Sequence, residues 1–208
     1  MEQTVANTLP YLTTIQKYTG AAENAVTFLN QEKHLRNTAL WAKFVEQYRI
    51  RTDGENAGWK GEFWGKMMRG AVLVYQYCRD EALYSVLTDT VKDMITVGFD
   101  GRVSTYSLDT EFTGWDMWCR KYVLLGLEYY LEICRDGELK EKIIAFLCLC
   151  TDYIMDHVGK EPHKLRITDT SNRWLAINSS SILEAIVKLY ALTKNEKYLD
   201  FAPPSSMM

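Results

Sequence analysis

The chain has 208 residues, 47% of them hydrophobic and 25% charged, an ordinary composition for one globular domain or two. A net charge of −3 with scattered basic residues gives no reason to expect nucleic acid or an anionic membrane as partner. No run of about 18 uncharged apolar residues is present, so a membrane span is not expected, and the opening MEQTVANTLPYL lacks the basic and apolar segments of a secretory signal.

Residues 1–30 read as a lead segment. An amphipathic helix follows near 35–50, with Leu35, Leu40, Trp41, Phe44, Val45 and Tyr48 at helical spacing. It has the character of the outer helix of a unit that precedes a repeat. The repeat is anchored on Trp59, Trp115 and Trp174. Nineteen residues after each come Cys78, Cys134 and Thr193, followed by Arg79-Asp80, Arg135-Asp136 and Lys194-Asn195. The copies are offset by 56 and 59 residues, and a small residue (Gly70, Gly126, Ala185) falls eleven after each tryptophan. That small residue predicts a close helix approach, because glycine in a helix otherwise costs about 1 kcal/mol relative to alanine.

Each copy reads as two helices. The first, over 63–78, 116–134 and 179–192, is apolar nearly all round, which predicts burial on most faces. The second is amphipathic: Leu83, Leu87, Val91 and Ile95 oppose Asp89, Lys92 and Asp93, and Leu139, Ile143, Phe146, Leu147, Cys150 and Ile154 oppose Lys140, Glu141 and Lys142. The Arg-Asp and Lys-Asn pairs between them predict short polar turns. Inner helices apolar all round with amphipathic outer helices predict an all-α array of helical hairpins. Such an array over residues 31–202 is a partial α/α toroid of about three hairpins plus a preceding helix, with an open solenoid as the alternative. The third outer helix begins at Glu196 and meets Pro203-Pro204, which stop a helix. Residues 203–208 therefore read as a tail, a scar of truncation or otherwise non-native.

In a toroid the loops entering the inner helices line one mouth. Here they carry Trp59, Glu62 and Trp64, then Trp115 and Asp116, then Arg173, Trp174 and Asn178. Aromatic faces with polar neighbours suit sugar rings, whose faces are apolar and edges polar. The alternative is that the tryptophans plug the core and the polar groups, Asp116 and Ser179 among them, cap helices. Glu62 and Asp116 are the carboxylates that could form a pair for glycoside hydrolysis. The loop from Gly101 to Ser107 offers Arg102 and Tyr106 as further ligand contacts, or serves as a plain connector.

No metal site is expected. His34, His157 and His163 form no pair at metal spacing, and His157 lies on an apolar face and reads as a core residue. The five cysteines (Cys78, Cys119, Cys134, Cys148, Cys150) sit in helical patterns and read as buried small hydrophobes in a reducing compartment, which points to the cytoplasm. No nucleotide or cofactor motif occurs, and no cofactor is expected.

Three runs carry a family resemblance: Gly101-Arg102-Val103-Ser104-Thr105-Tyr106, then Gly114-Trp115-Asp116-Met117-Trp118-Cys119-Arg120-Lys121-Tyr122, then Asn178-Ser179-Ser180-Ser181-Ile182-Leu183-Glu184. In order and spacing the chain resembles glycoside hydrolase family 127, the β-L-arabinofuranosidase-like family, over roughly residues 28–202. The resemblance implies an N-terminal α/α toroid that continues into β domains, a carbohydrate ligand and glycoside hydrolysis by full-length members. Typical members carry His-Glu-x-Tyr-Cys-Ala-Gly-His where this chain has Trp115 to Tyr122. Cys119 matches, Asp116 matches conservatively, and Trp115 and Tyr122 replace two histidines associated with sugar contact. The family's acid/base glutamate, nucleophilic cysteine and zinc-ligating cysteines lie, by the same resemblance, past the end of this chain. The expectation is thus a carbohydrate-binding mouth without the catalytic centre. The alternative is a non-enzymatic helical module, or an inactive fragment that self-associates through the open toroid edge.

Overall fold

The structure is a computed structural model that describes residues 20–54, 58–172 and 174–201. Its helices are α1 (Ala21–Leu29), α2 (Thr38–Ile50), α3 (Glu62–Cys78), α4 (Glu81–Val97), α5 (Asp116–Leu131), α6 (Gly137–His157), α7 (Ile177–Ser180), α8 (Leu183–Thr193) and α9 (Glu196–Phe201). Among the described residues β pairing is limited to two isolated bridges, Asp53 with Tyr106 and Val158 with Leu165. No described helix is long and apolar enough to cross a membrane.

The helices form two rows. α5 lies between α3 and α8, with α1 against the far side of α3, while α2, α4 and α6 follow one another in the second row and α9 folds back on α8. This is the hairpin array expected, a partial α/α toroid with α3, α5 and α8 as inner helices. The unit before the repeat is a whole hairpin: α1 supplies the inner helix missing from the sequence reading. Its nine residues include no buried one, so apolar periodicity left it little signal.

Local chemistry explains the element ends. Asn37, Asp80 and Asp136 occupy the N-cap positions of α2, α4 and α6, and each side chain accepts a hydrogen bond from a backbone N–H of the first turn. Arg79 and Lys194 close α3 and α8 in the left-handed region, at φ 54 and 56. The Arg-Asp turn therefore combines a helix stop with the next helix start.

Four expectations are corrected. A Cβ added to Gly70 would meet no atom within 4 Å, so this glycine marks no close approach. The approach is made one and a half turns earlier, where a Cβ on Gly65 would stand 1.8 Å from the Tyr122 carbonyl oxygen, and opposite it a Cβ on Gly126 would lie 3.0 Å from the Gly65 Cα. The third inner helix is broken: Leu175 and Ala176 have φ 53 and 59, and the Ser181 hydroxyl donates to the Asn178 carbonyl at 2.6 Å, competing with helix continuation. Asp116 and Ser179 are not N-caps, being the first residue of α5 and a buried residue inside α7. His157 is exposed, and its ring stacks on Phe112 and lies tilted against Tyr153 instead of entering the core. Cys119, Cys134 and Cys150 are buried as expected, while Cys78 and Cys148 are half-buried, and all five are free thiols. Residues 1–19, Arg173 and the tail 203–208, together with the side chain of Trp174, lie outside the described residues.

Candidate functional site

The connectors that enter α3 and α5 lock together behind the N-terminus of α5. The Asp53 backbone N–H donates to the Thr105 carbonyl at 3.0 Å, and the Asp53 carboxylate accepts from the Thr105 hydroxyl at 2.8 Å and the Lys60 N–H at 3.2 Å. The Tyr48 hydroxyl donates to the Gly61 carbonyl, and the Cys119 thiol to the Gly58 carbonyl at 3.5 Å. Glycine is required at 58, where a Cβ would stand 2.1 Å from the Tyr106 hydroxyl. Burial, and then the nearby Asp116 charge, push the Cys119 thiol far above its usual range, which suits a packing role.

Beneath this plug lies a buried charge cluster. The Asp116 carboxylate accepts from the Ser104 hydroxyl at 2.5 Å, the Phe112 N–H at 2.9 Å and Arg120 Nε at 3.0 Å. Arg120 also donates to Glu111, whose other oxygen accepts from Arg102 Nε at 2.9 Å and the Tyr153 hydroxyl at 3.0 Å. Arg102 donates further to the Tyr106 carbonyl at 2.6 Å, and the Tyr106 hydroxyl accepts from the Trp115 N–H at 3.0 Å. Arg120 is fully buried with its guanidinium 4.5 Å from the Phe112 ring centroid. Burial works against its charge, but Asp116 and Glu111 outweigh burial and raise its pKa. Burial likewise opposes ionisation of Glu111, and Arg120 with Arg102 overcome it and hold that carboxyl below the usual range. Arg51 ties α2 to the cluster's edge, donating to the Val97 carbonyl at 3.2 Å and the Arg102 carbonyl at 3.4 Å.

The other side of α5 presents rings. Trp115 and Trp118 meet edge-on at 5.8 Å between centroids, and Trp118 and Tyr122 at 5.1 Å. Tyr129 continues the line two turns on. Trp118 Nε1 donates to Glu62, which also pairs with Lys66 at 2.9 Å. Cations crowd the rings: Lys66 lies 4.8 Å and Lys121 5.3 Å from the Tyr122 centroid, with Arg69 at 5.0 Å and Lys188 at 4.6 Å from that of Tyr129. Three inner helices contribute to this wall. α3 gives Glu62, Lys66 and Arg69, α5 the rings and Lys121, and α8 Glu184, which pairs with Lys121 at 3.2 Å, and Lys188. Trp115, Trp118 and Tyr129 are half-buried and Lys66 exposed, while Tyr122 and Lys121 are buried, so the wall is partly open to solvent.

The expected site residues divide between wall and support. Glu62 and Trp115 belong to the wall, and Trp59, 48% exposed, sits one turn ahead of Glu62. Trp64 is core, its indole donating to the Thr90 hydroxyl at 2.9 Å. Asp116, Arg102 and Tyr106 are all buried in the cluster, and Asn178 is buried behind it, donating to the Gly114 carbonyl at 2.9 Å. Glu62 and Asp116 therefore do not face one another across an open cleft: three protein donors hold Asp116, which has no exposed surface. Sequence reading placed Trp118 in a mouth segment and Tyr122 at a family sugar-contact position without choosing either as a site residue, and it missed Tyr129, Lys66, Arg69, Lys121 and Lys188. Their helical spacing was the available signal, hidden because α5 carries large apolar residues on every side. Among the described residues no group of three or more His, Cys, Asp and Glu side chains converges to hold a metal, so these residues do not fit a zinc centre.

A two-row hairpin array with an aromatic inner face is the helical part of a toroid. The family profile described as the β-L-arabinofuranosidase, GH127 catalytic domain matches residues 10–204, and the chain belongs to that family. Among solved structures it is similar to a GH127 β-L-arabinofuranosidase from Geobacillus stearothermophilus, with a TM-score of 0.64 and 17% identity over 91% of this chain and 32% of that one. A second, a GH127 β-arabinofuranosidase, gives a TM-score of 0.57 and 16% identity over 86% of this chain and 28% of that one. The chain thus spans about a third of the length of these structures, and the likeness is one of fold. No curated protein sequence matches.

Proposed function

We propose that the chain supplies the helical, carbohydrate-binding wall of a glycoside hydrolase similar to β-L-arabinofuranosidases and does not itself contain the catalytic centre. The observation that carries this reading is the ring ladder Trp115–Trp118–Tyr122, with Glu62 hydrogen-bonded to its middle member. A sugar ring lays its C–H face on such rings and offers hydroxyls to charged neighbours. Glu62, Trp115, Trp118 and Trp59 are the contacts. Asp116, Arg102, Tyr106, Asn178 and Trp64 hold the wall from behind.

Titration with β-L-arabinofuranosyl oligosaccharides, followed by tryptophan fluorescence, tests the reading. Saturable binding weakened about tenfold by Trp118→Ala, the scale of one lost stacking partner, is expected. Hydrolysis of aryl arabinofuranosides by the chain is not expected. Turnover that persists in Glu62→Gln, or binding indifferent to Trp118→Ala, overturns it.

A second reading, self-association through the open ends of the array, is favoured by apolar side chains on its outermost hairpins. Phe28 and Leu29 on α1, Val187 and Leu192 on α8 and Leu199 on α9 are all exposed.

A further inference from the structure

Resting on the wall described above, we propose that its ligand is an anionic saccharide, one whose sugar ring bears a carboxylate, and that Arg69 and Lys188 read that charge. The chain is acidic overall, yet four basic side chains converge on three rings of α5. Two of them are neutralised: Lys66 by Glu62 and Lys121 by Glu184. Arg69 and Lys188 form no ion pair among the described residues. They flank one ring, Tyr129, at 5.0 and 4.6 Å, and Arg69 lies 3.5 Å from its hydroxyl.

Glu132 and Glu128 lie within electrostatic reach of Lys188 without forming an ion pair with it, and the more deeply buried of the two is Glu128, the residue before Tyr129 on α5. It is buried, and neither of its oxygens has a hydrogen-bond partner. Burial pushes its pKa up, against the pull of Lys188, which disfavours the anion that would pair with that ammonium. A neutral sugar gains little from two unpaired cations beside a ring. A uronate stacked there satisfies both, with a charge-assisted hydrogen bond from a guanidinium suited to carboxylate geometry.

The experiment compares galacturonate and glucuronate oligosaccharides with their methyl esters, which keep the ring and remove the charge. Binding to the chain is followed by tryptophan fluorescence at low and high salt, with arabinofuranosyl oligosaccharides alongside. The acids are expected to bind about tenfold more tightly than the esters at low ionic strength, with the difference lost near ~1 M salt. The same preference is expected to vanish in Arg69→Gln/Lys188→Gln. Acids and esters binding alike, with sensitivity to Trp118→Ala, sinks the charge preference and leaves the wall. Absence of binding by acids, esters and arabinofuranosyl ligands sinks both. The ester comparison and salt dependence are read on the unmutated chain, so they decide even if the double variant fails to fold.

Discussion

Arg120 and Glu128 stand two turns apart on α5 and meet the same problem, a charge taken out of water, in opposite ways. Arg120 keeps its charge because Asp116 and Glu111 are bonded to it, whereas Glu128 has no bonded partner and is driven towards its neutral form. The two carboxyls then give opposite pH dependences. Glu111 has a depressed pKa, so its contribution is present above the ordinary carboxylate range and is lost as pH falls through its folded value. Glu128 has a raised pKa, so its contribution is full below its unfolded value and is lost as pH rises towards its folded value. Glu128→Gln, which cannot ionise, should gain stability relative to the unmutated chain as pH rises from about 4 to about 8. Urea unfolding at the two pH values measures this; parallel stability profiles would show that Glu128 is ionised and paired in solution. The same cluster shows why Asp116 was hard to read. A carboxylate at a helix start can be a cap, a catalyst or a counterion, and only Arg120 one turn later marked it as a counterion.

Between elements, the contact that sets the inner row is that of α3 and α5. Gly65 and Gly126 let the two backbones touch, and a methyl group at 65 would have to displace the Tyr122 carbonyl. Gly65→Ala should therefore cost about 3 kcal/mol by forcing the helices apart. Gly70→Ala, on the open side of the same helix, should gain about 0.5–1 kcal/mol by restricting the unfolded chain. Thermal unfolding of the two variants gives the comparison, and a shift of the same sign in both would refute the assignment. The hairpins were legible in the sequence because period and turn chemistry agreed: Arg79-Asp80 is both a left-handed stop and an N-cap. The glycine that matters was not, because the repeat register marks equivalent positions along each helix. The close contact depends on where the neighbouring helix crosses. The aromatic wall was hidden for a related reason. Met117, Val123 and Leu127 pack inward while Trp118, Tyr122 and Tyr129 line the other side, and hydrophobicity alone does not distinguish these two faces.

For the molecule as a whole, the outermost described hairpins are the elements that leave apolar side chains in solvent. With apolar side chains exposed on α1, α8 and α9, the chain should associate reversibly as concentration rises, and Leu192→Glu with Leu199→Glu should shift it to monomer in sedimentation velocity. A monomer at every concentration would rule out self-association.

The Arg51–Arg102–Glu111–Arg120 chain of contacts bears on how such an array comes apart. Stacked hairpins that touch only their neighbours can peel from one end, each leaving the rest intact. Here α2, the connector after α4, the start of α5 and Tyr153 of α6 share one buried ionic knot. Peeling away the connector or the start of α5 leaves a buried member of the Arg102–Glu111–Arg120–Asp116 set without its counter-charge, while losing α2 or α6 removes hydrogen bonds at the edge of the same knot. Gradual fraying of these hairpins is therefore penalised, and a protease should find them either whole or wholly open.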